Sequence, residues 1–231
     1  MYILGIETST TTGSVAVISD DSVIAQYSLN IEVTHSERLM STVDRVLSDT
    51  GLTIADMDGY AVAIGPGSFT GLRIGLAAVK GLALVTGKPV APVPTLQALA
   101  WNLPYAAYPI CPMLDARKNE VYAAMYRFEG TALVHVMAEA VLSLSQLSGR
   151  ISGNTLFTGE ASQLFRNEIV NLFGDRALFA PISAMLPSAA TVAEIGLGMI
   201  KSGKQADLDS VTPMYIRRPE AEVMWEKKLH S

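Results

Sequence analysis

The run Ala61-Val62-Ala63-Ile64 is apolar and strand-like. It feeds directly into Gly65-Pro66-Gly67-Ser68-Phe69-Thr70-Gly71, and the chain reads as helix from Leu72. A strand, a glycine-rich turn and a helix in immediate succession constrain the chain to an α/β unit. In such a unit the turn passes close to other backbone or to a ligand, because glycine carries no Cβ. The spacing excludes two familiar phosphate loops: a P-loop needs GxxxxGK[ST], and the dinucleotide fingerprint is GxGxxG, whereas this turn is GxGxxxG with a proline inside. Gly75 lies one helical turn beyond Gly71 and shares its face, which suits close packing of a neighbouring element. A ligand cradle at the helix N-terminus is the alternative. Ser68 lacks the GxSxG surroundings of a nucleophile elbow and reads as the helix cap.

Several function classes fall to composition. A net charge of −5 leaves no electrostatic footprint for independent nucleic-acid binding. The single cysteine, Cys111, excludes an internal disulfide and a cysteine metal cluster, and it is expected to be buried. Glu7 interrupts the first apolar run and no basic segment precedes it, so a signal peptide is not expected. The most apolar stretch, Leu72 to Val85, carries Arg73 and Lys80 and falls short of the roughly 18 apolar residues of a membrane span. A soluble, cytosolic protein with no membrane contact is expected.

The chain of 231 residues, 49% of them hydrophobic, has enough apolar material for one large domain or two small ones. Strands are expected at Tyr2 to Ile6, Val15 to Ile18 and Val23 to Leu29, with Glu7-Thr8-Ser9-Thr10-Thr11-Thr12-Gly13 as a hydroxyl-rich turn between the first two. Thr34 and Glu37 form a capping-box pattern, and Leu39, Met40, Val43, Val46 and Leu47 recur at helical spacing up to Gly51. The helix from Leu72 should end near Gly87, followed by a strand at Val90 to Val93 and a helix around Leu96 to Trp101. After an irregular stretch, Asn102 to Pro109, the theme restarts. Strands are expected at Ile110 to Leu114, Val121 to Phe128, Leu133 to Met137 and Thr155 to Thr158, with helices at Ala161 to Phe173 and Thr191 to Lys201. Two halves that each open on a strand meander point to a duplicated α/β architecture.

The segments ILGIETS, GPGSFTGLRIG (Gly65–Gly75) and PMLDARKNEVYAA together closely resemble the bacterial TsaB (YeaZ) family, and the likeness returns at Val211-Thr212-Pro213-Met214-Tyr215-Ile216-Arg217. The resemblance implies the actin/Hsp70/sugar-kinase-like fold, with subdomains at residues 1–104 and 105–231 and a C-terminal tail packing back on the first. It also implies an accessory role in making threonylcarbamoyladenosine next to the anticodon of tRNAs that read codons beginning with A. There the chain would bind and activate the catalytic subunit TsaD, with the ATPase TsaE joining the assembly and tRNA reached through the complex.

On this resemblance the catalytic relative carries an HxxxH metal pair, whose matching positions here are Thr95 and Leu99. His35, His135 and His230 stand far apart, so neither a TsaD-like metal site nor a catalytic role is expected. The fold holds phosphates between two hairpin turns, and the second, Asp115-Ala116-Arg117-Lys118-Asn119-Glu120, contains no glycine, which makes it a poor cradle. No cofactor is then required. Weak ATP or ADP binding at Glu7, Thr8 and Ser9 stays open, as does the alternative that these hydroxyls serve only their own turn. An enzyme acting alone, either an ATP-binding transferase or a hydrolase, is the rival reading.

The resemblance further implies that the helices after His35 and after Leu72 form a bundle with the equivalent pair of TsaD, or pair two copies of this chain when TsaD is absent. The expected interface residues are His35, Arg38, Leu39, Val43, Val46, Leu47, Leu72, Leu76 and Val79. The basic pairs Arg217-Arg218 and Lys227-Lys228 read as solvated surface, with tRNA phosphate contact as the alternative.

Overall fold

The computed structural model describes residues 1–30 and 35–217. Two five-stranded sheets carry the fold. The first holds β1 (Ile3–Glu7), β2 (Thr12–Ile18), β3 (Val23–Asn30), β4 (Gly59–Gly65) and β5 (Val90–Pro94), in the order β3-β2-β1-β4-β5. The second holds β6 (Ile110–Asp115), β7 (Glu120–Glu129), β8 (Ala132–Ser143), β9 (Thr155–Thr158) and β10 (Ala177–Phe179), in the order β10-β9-β6-β7-β8. Each begins as an antiparallel meander, β1-β2-β3 or β6-β7-β8, and adds two strands parallel to its first. The two lobes thus share one topology.

The helices follow the same plan. In the first lobe α1 (His35–Thr50) precedes β4, α2 (Phe69–Thr86) links β4 to β5, and α3 (Thr95–Trp101) follows β5. In the second, α4 (Leu144–Ser148) precedes β9, α5 (Glu160–Leu164) and α6 (Arg166–Phe173) link β9 to β10, and α7 (Ala189–Lys201) comes last. Every residue of β1 is buried, as a central strand covered on both faces requires. The apolar stripes of α1 and α2 pack on one face with Leu4, Ile6, Val15 and Val62. α7 covers the other face, with Val192 and Ala193 against Ile3, Ala61 and Ala91.

The chain crosses between lobes more than once. α3 lies between them, with Leu96 and Leu99 buried against Ile110, Leu114 and Tyr122 of the second sheet. The boundary near residue 104 separates the two sheets, but α7, Ala206 (bridged to Val90) and Val211 sit on the first lobe.

Several elements depart from the sequence expectation, among them β2, which begins at Thr12, and α4, which was not expected. α2 starts at Phe69 rather than Leu72, because the Ser68 side chain caps it by accepting from the Gly71 N–H at 3.3 Å. The expected helix Ala161 to Phe173 is bent into α5 and α6 at Phe165, although backbone hydrogen bonds run on through the bend. β8 extends to Ser143, and the half-buried edge strand β10 joins the second sheet. α2, at 18 residues, is long and apolar enough by composition to cross a membrane, beyond what the run Leu72–Val85 suggested. Its inner face, with Leu72, Leu76 and Val79, is core. Thr34, Arg218, Lys227, Lys228 and His230 lie outside the described residues, as do the side chains of His35 and Glu37 and hence the expected capping box.

Candidate functional site

Parallel strands that leave a sheet at one edge place their following loops together, and the two lobes bring such edges face to face. From the first lobe come the turn after β1 and the loop after β4. In that loop, a Cβ on Gly67 would stand 2.2 Å from the Ser9 carbonyl oxygen, and the Ser68 N–H donates to that oxygen at 2.7 Å. The second lobe repeats the device. Gly159, directly after β9, has φ +92°, and a Cβ there would stand 2.1 Å from the Met113 carbonyl oxygen. The glycine-rich turn therefore serves backbone packing in both lobes. Replacing Gly159 with Ala combines that clash with a left-handed φ. We expect a loss of about 3 kcal/mol, or roughly 6–12 °C in Tm for a chain of this size, read by thermal unfolding.

Glu7 ends β1 inside this cleft, fully buried. Its Oε1 accepts from the Ser9 N–H at 2.6 Å and from the Ser9 hydroxyl, while Oε2 has no partner. Burial pushes its carboxyl up to about 7; the two Ser9 hydrogen bonds pull the other way, and the charge of Glu160 adds a smaller upward push. Glu160 opens α5 and is itself raised, chiefly by burial. Asp115, at the end of β6, accepts from the Arg117 N–H at 2.8 Å and pairs with its guanidinium at 3.4 Å. Three carboxyl groups, Glu7, Glu160 and Asp115, thus gather where the lobes meet, with Arg117 paired to the last of them.

Thr8 and Ser9 are committed within the protein. The Thr8 hydroxyl donates to the Gly71 carbonyl at 2.8 Å, tying the turn to α2, and Ser9 is held by Glu7. Of the three expected nucleotide contacts, Glu7 is the one with a side-chain polar atom that has no hydrogen-bond partner. Thr95 and Leu99 sit fully buried on α3. Among the described residues, no group of three or more His, Cys, Asp or Glu is disposed to hold a metal. Cys111 is buried, and burial drives its thiol far up from its ordinary value.

The packing places most of the expected docking residues inside the first lobe. Leu39, Val43, Val46, Leu47, Leu72, Leu76 and Val79 are between 0 and 7% exposed and belong to the first lobe's own core. Helical periodicity selected the stripe that faces the sheet. Arg38 is exposed. The outward face of α2 instead presents Ala77 and Gly81, then Leu84 and Val85, each of the last two 77% exposed. On α1, Met40 is 50% exposed. Glu160 escaped the sequence reading, although Thr158-Gly159-Glu160 repeats the strand–glycine–helix signal of the first lobe. Arg217 is also corrected: it does not stand free in solvent, because its guanidinium pairs with Glu120 and donates to the Ala116 carbonyl at 2.6 Å.

A family model described as TsaD, tRNA N6-adenosine threonylcarbamoyltransferase, matches residues 24–225. The chain is similar to the tRNA threonylcarbamoyladenosine biosynthesis protein TsaB of Bacillus subtilis, 31% identical over 97% of this chain and 98% of the relative. It is similar to the TsaB of Escherichia coli as well, 30% identical over 98% of each. The solved structure of YeaZ from Pseudomonas aeruginosa superposes with a TM-score of 0.76 at 26% identity, over 93% of this chain and 99% of that one. The ROK hexokinase of Thermus thermophilus, with a TM-score of 0.51 at 11% identity over 88% of this chain and 100% of its own, shares the fold alone. The architecture is that of the actin/Hsp70/sugar-kinase-like proteins.

Proposed function

The chain belongs to the TsaB (YeaZ) family of tRNA threonylcarbamoyladenosine biosynthesis proteins, and we propose that it acts there as a non-catalytic subunit that binds and activates TsaD in the cytosol. The observation that carries this reading is the outer face of α2. Ala77 and Gly81 are small enough for a second helix to approach closely, and Leu84 and Val85 beside them are large, apolar and exposed. Adjacent exposed apolar side chains on one helix face form the kind of patch that marks a contact surface. A partner of the same fold offers an equivalent helix, so the face that meets TsaD also pairs two copies of this chain when TsaD is absent.

Activation then means that the subunit binds one conformation of TsaD more tightly than the others and raises its population. TsaD carries out the threonylcarbamoyl transfer to adenosine next to the anticodon in tRNAs that read codons beginning with A. TsaE joins a larger assembly, and tRNA is reached through the complex. A non-catalytic role is supported by the second turn, Asp115 to Glu120, which offers no glycine to cradle a triphosphate. No cofactor is required, and any ATP or ADP binding is weak.

Leu84→Asp tests the docking face. Both states of this exposed position are hydrated, so stability should change by no more than about 0.5 kcal/mol. TsaD affinity, read by calorimetric titration, should fall by about tenfold or more. Unchanged affinity would remove α2 from the interface. The rival reading, an enzyme of this fold acting alone, has the unpartnered Glu7 Oε2 in its favour. It requires ATP turnover by the isolated chain that disappears in Glu7→Ala.

A further inference from the structure

The contacts of the segment Val211-Thr212-Pro213-Met214-Tyr215-Ile216-Arg217 span both lobes. Val211 is buried in the first lobe's core. The Met214 N–H donates to the Ile64 carbonyl, at the end of β4, at 2.7 Å. The Tyr215 ring packs on Phe69 with centroids 4.9 Å apart, and its hydroxyl accepts from Arg73 Nε at 2.8 Å. Phe69 and Arg73 belong to the first turns of α2. One residue further on, Ile216 packs against Leu96, Leu99 and Tyr122 between the lobes. Arg217 then reaches the second lobe: Nη1 donates to the Ala116 carbonyl at 2.6 Å and Nη2 pairs with the Glu120 carboxylate.

Ala116 and Glu120 bracket the turn from β6 to β7. Within it Arg117, Lys118 and Asn119 take φ of +64°, +56° and +58° in succession. Three consecutive non-glycine residues in the left-handed region persist only where the surroundings over-determine them. Inside the turn, the Ala116 N–H donates to the Glu120 carbonyl and the Glu120 N–H to that of Arg117, both at 3.0 Å. From outside, Arg217 grips both ends at once. A guanidinium suits this role, because its planar fork holds two acceptors in fixed geometry where a lysine offers a point charge.

We propose that Val211–Arg217 is an interlobe strap that couples the first turn of α2 to the Ala116–Glu120 turn, with Tyr215 and Arg217 as its two anchors. The polypeptide already links the lobes at residues 102–109 and on its return from β10 to α7. The strap is a third tie, held on the second lobe by side-chain contacts alone. It deepens the docking reading and in one respect rests on it: a partner seated on α2, whose exposed Arg73 holds Tyr215, stiffens the cleft turn through the strap.

Hydrogen exchange on the full-length chain without partner tests the strap. Coupling is reciprocal, so a substitution at either anchor must loosen both ends. Arg217→Ala should speed exchange of the Ala116 and Glu120 amides, and also of the Leu72 and Met214 amides at the α2 end, by about fivefold or more. Tyr215→Ala should do the same at all four. Should Arg217→Ala fail to fold, Arg217→Lys serves in its place, with a smaller effect at the same four amides. If each variant loosens only its own end, the strap is two local contacts and the proposal is overturned. Because no TsaD is present, this failure is separate from failure of the docking reading, which Leu84→Asp tests.

Discussion

Replacing Val43 with Asp is expected to unfold this protein rather than to separate it from a partner. Val43 is 2% exposed on the inner stripe of α1, among Leu39, Val46 and Leu47 and the strands beneath them. The substitution removes buried apolar surface and places a carboxylate among apolar side chains. We expect at least about 4 kcal/mol of destabilisation. That is a large share of the 5–15 kcal/mol available to a typical native domain. Urea titration should show the midpoint collapse, with TsaD binding lost only because the fold is lost. Leu84→Asp, on the outer face of α2, should do the reverse and keep the fold while losing the partner. A Val43→Asp protein that stays folded with an unchanged midpoint would mean that the inner stripe is not core.

The second large effect is a pH dependence at Glu7. The folded protein holds the Glu7 proton up to about 7, whereas the unfolded chain releases it near the ordinary value of 4.5. Between those values the folded state binds more protons, so stability falls as pH rises. Above pH 7 the full burial penalty stands, about 3 kcal/mol at about 1.4 kcal/mol per pH unit. Glu7→Gln carries no such proton and its Oε1 can still accept from Ser9. Relative to wild type it should be near neutral at about pH 4.5 and more stable by up to about 3 kcal/mol at about pH 8. Urea titrations of both proteins at the two pH values read the difference directly, with carboxylates that do not interact with Glu7 cancelling between them. A difference that does not change with pH would mean that Glu7 titrates as an ordinary carboxyl.

Elements with a strong local signature were legible before any coordinates. Ala61 to Gly71 announced strand, tight turn and helix, and the structure places β4, the Gly67 contact on Ser9 and α2 there. The two strand meanders were equally plain, because alternating apolar runs with polar turns define their own register. Periodicity alone could not say which partner a helical stripe meets: Leu39, Val43 and Val46 fit an inner and an outer surface equally well by spacing, and only the sheet beneath them decides. Leu84 and Val85 belong to the same apolar helix, but their exposure depends on where α2 lies. The Arg217–Glu120 pair joins residues 97 apart in the chain, so no local rule reaches it. β10, a three-residue edge strand, owes its place to β9 and carries too few residues to show a period of two.

Binding to TsaD is the action proposed for this chain. Light scattering on the isolated chain, on TsaD from the same organism and on their mixture tests it most directly. A homodimer alone, replaced on mixing by a one-to-one complex, is the result expected if the proposed docking face on α2 serves both pairings. A chain whose mass is unmoved by TsaD at micromolar concentrations would contradict the account.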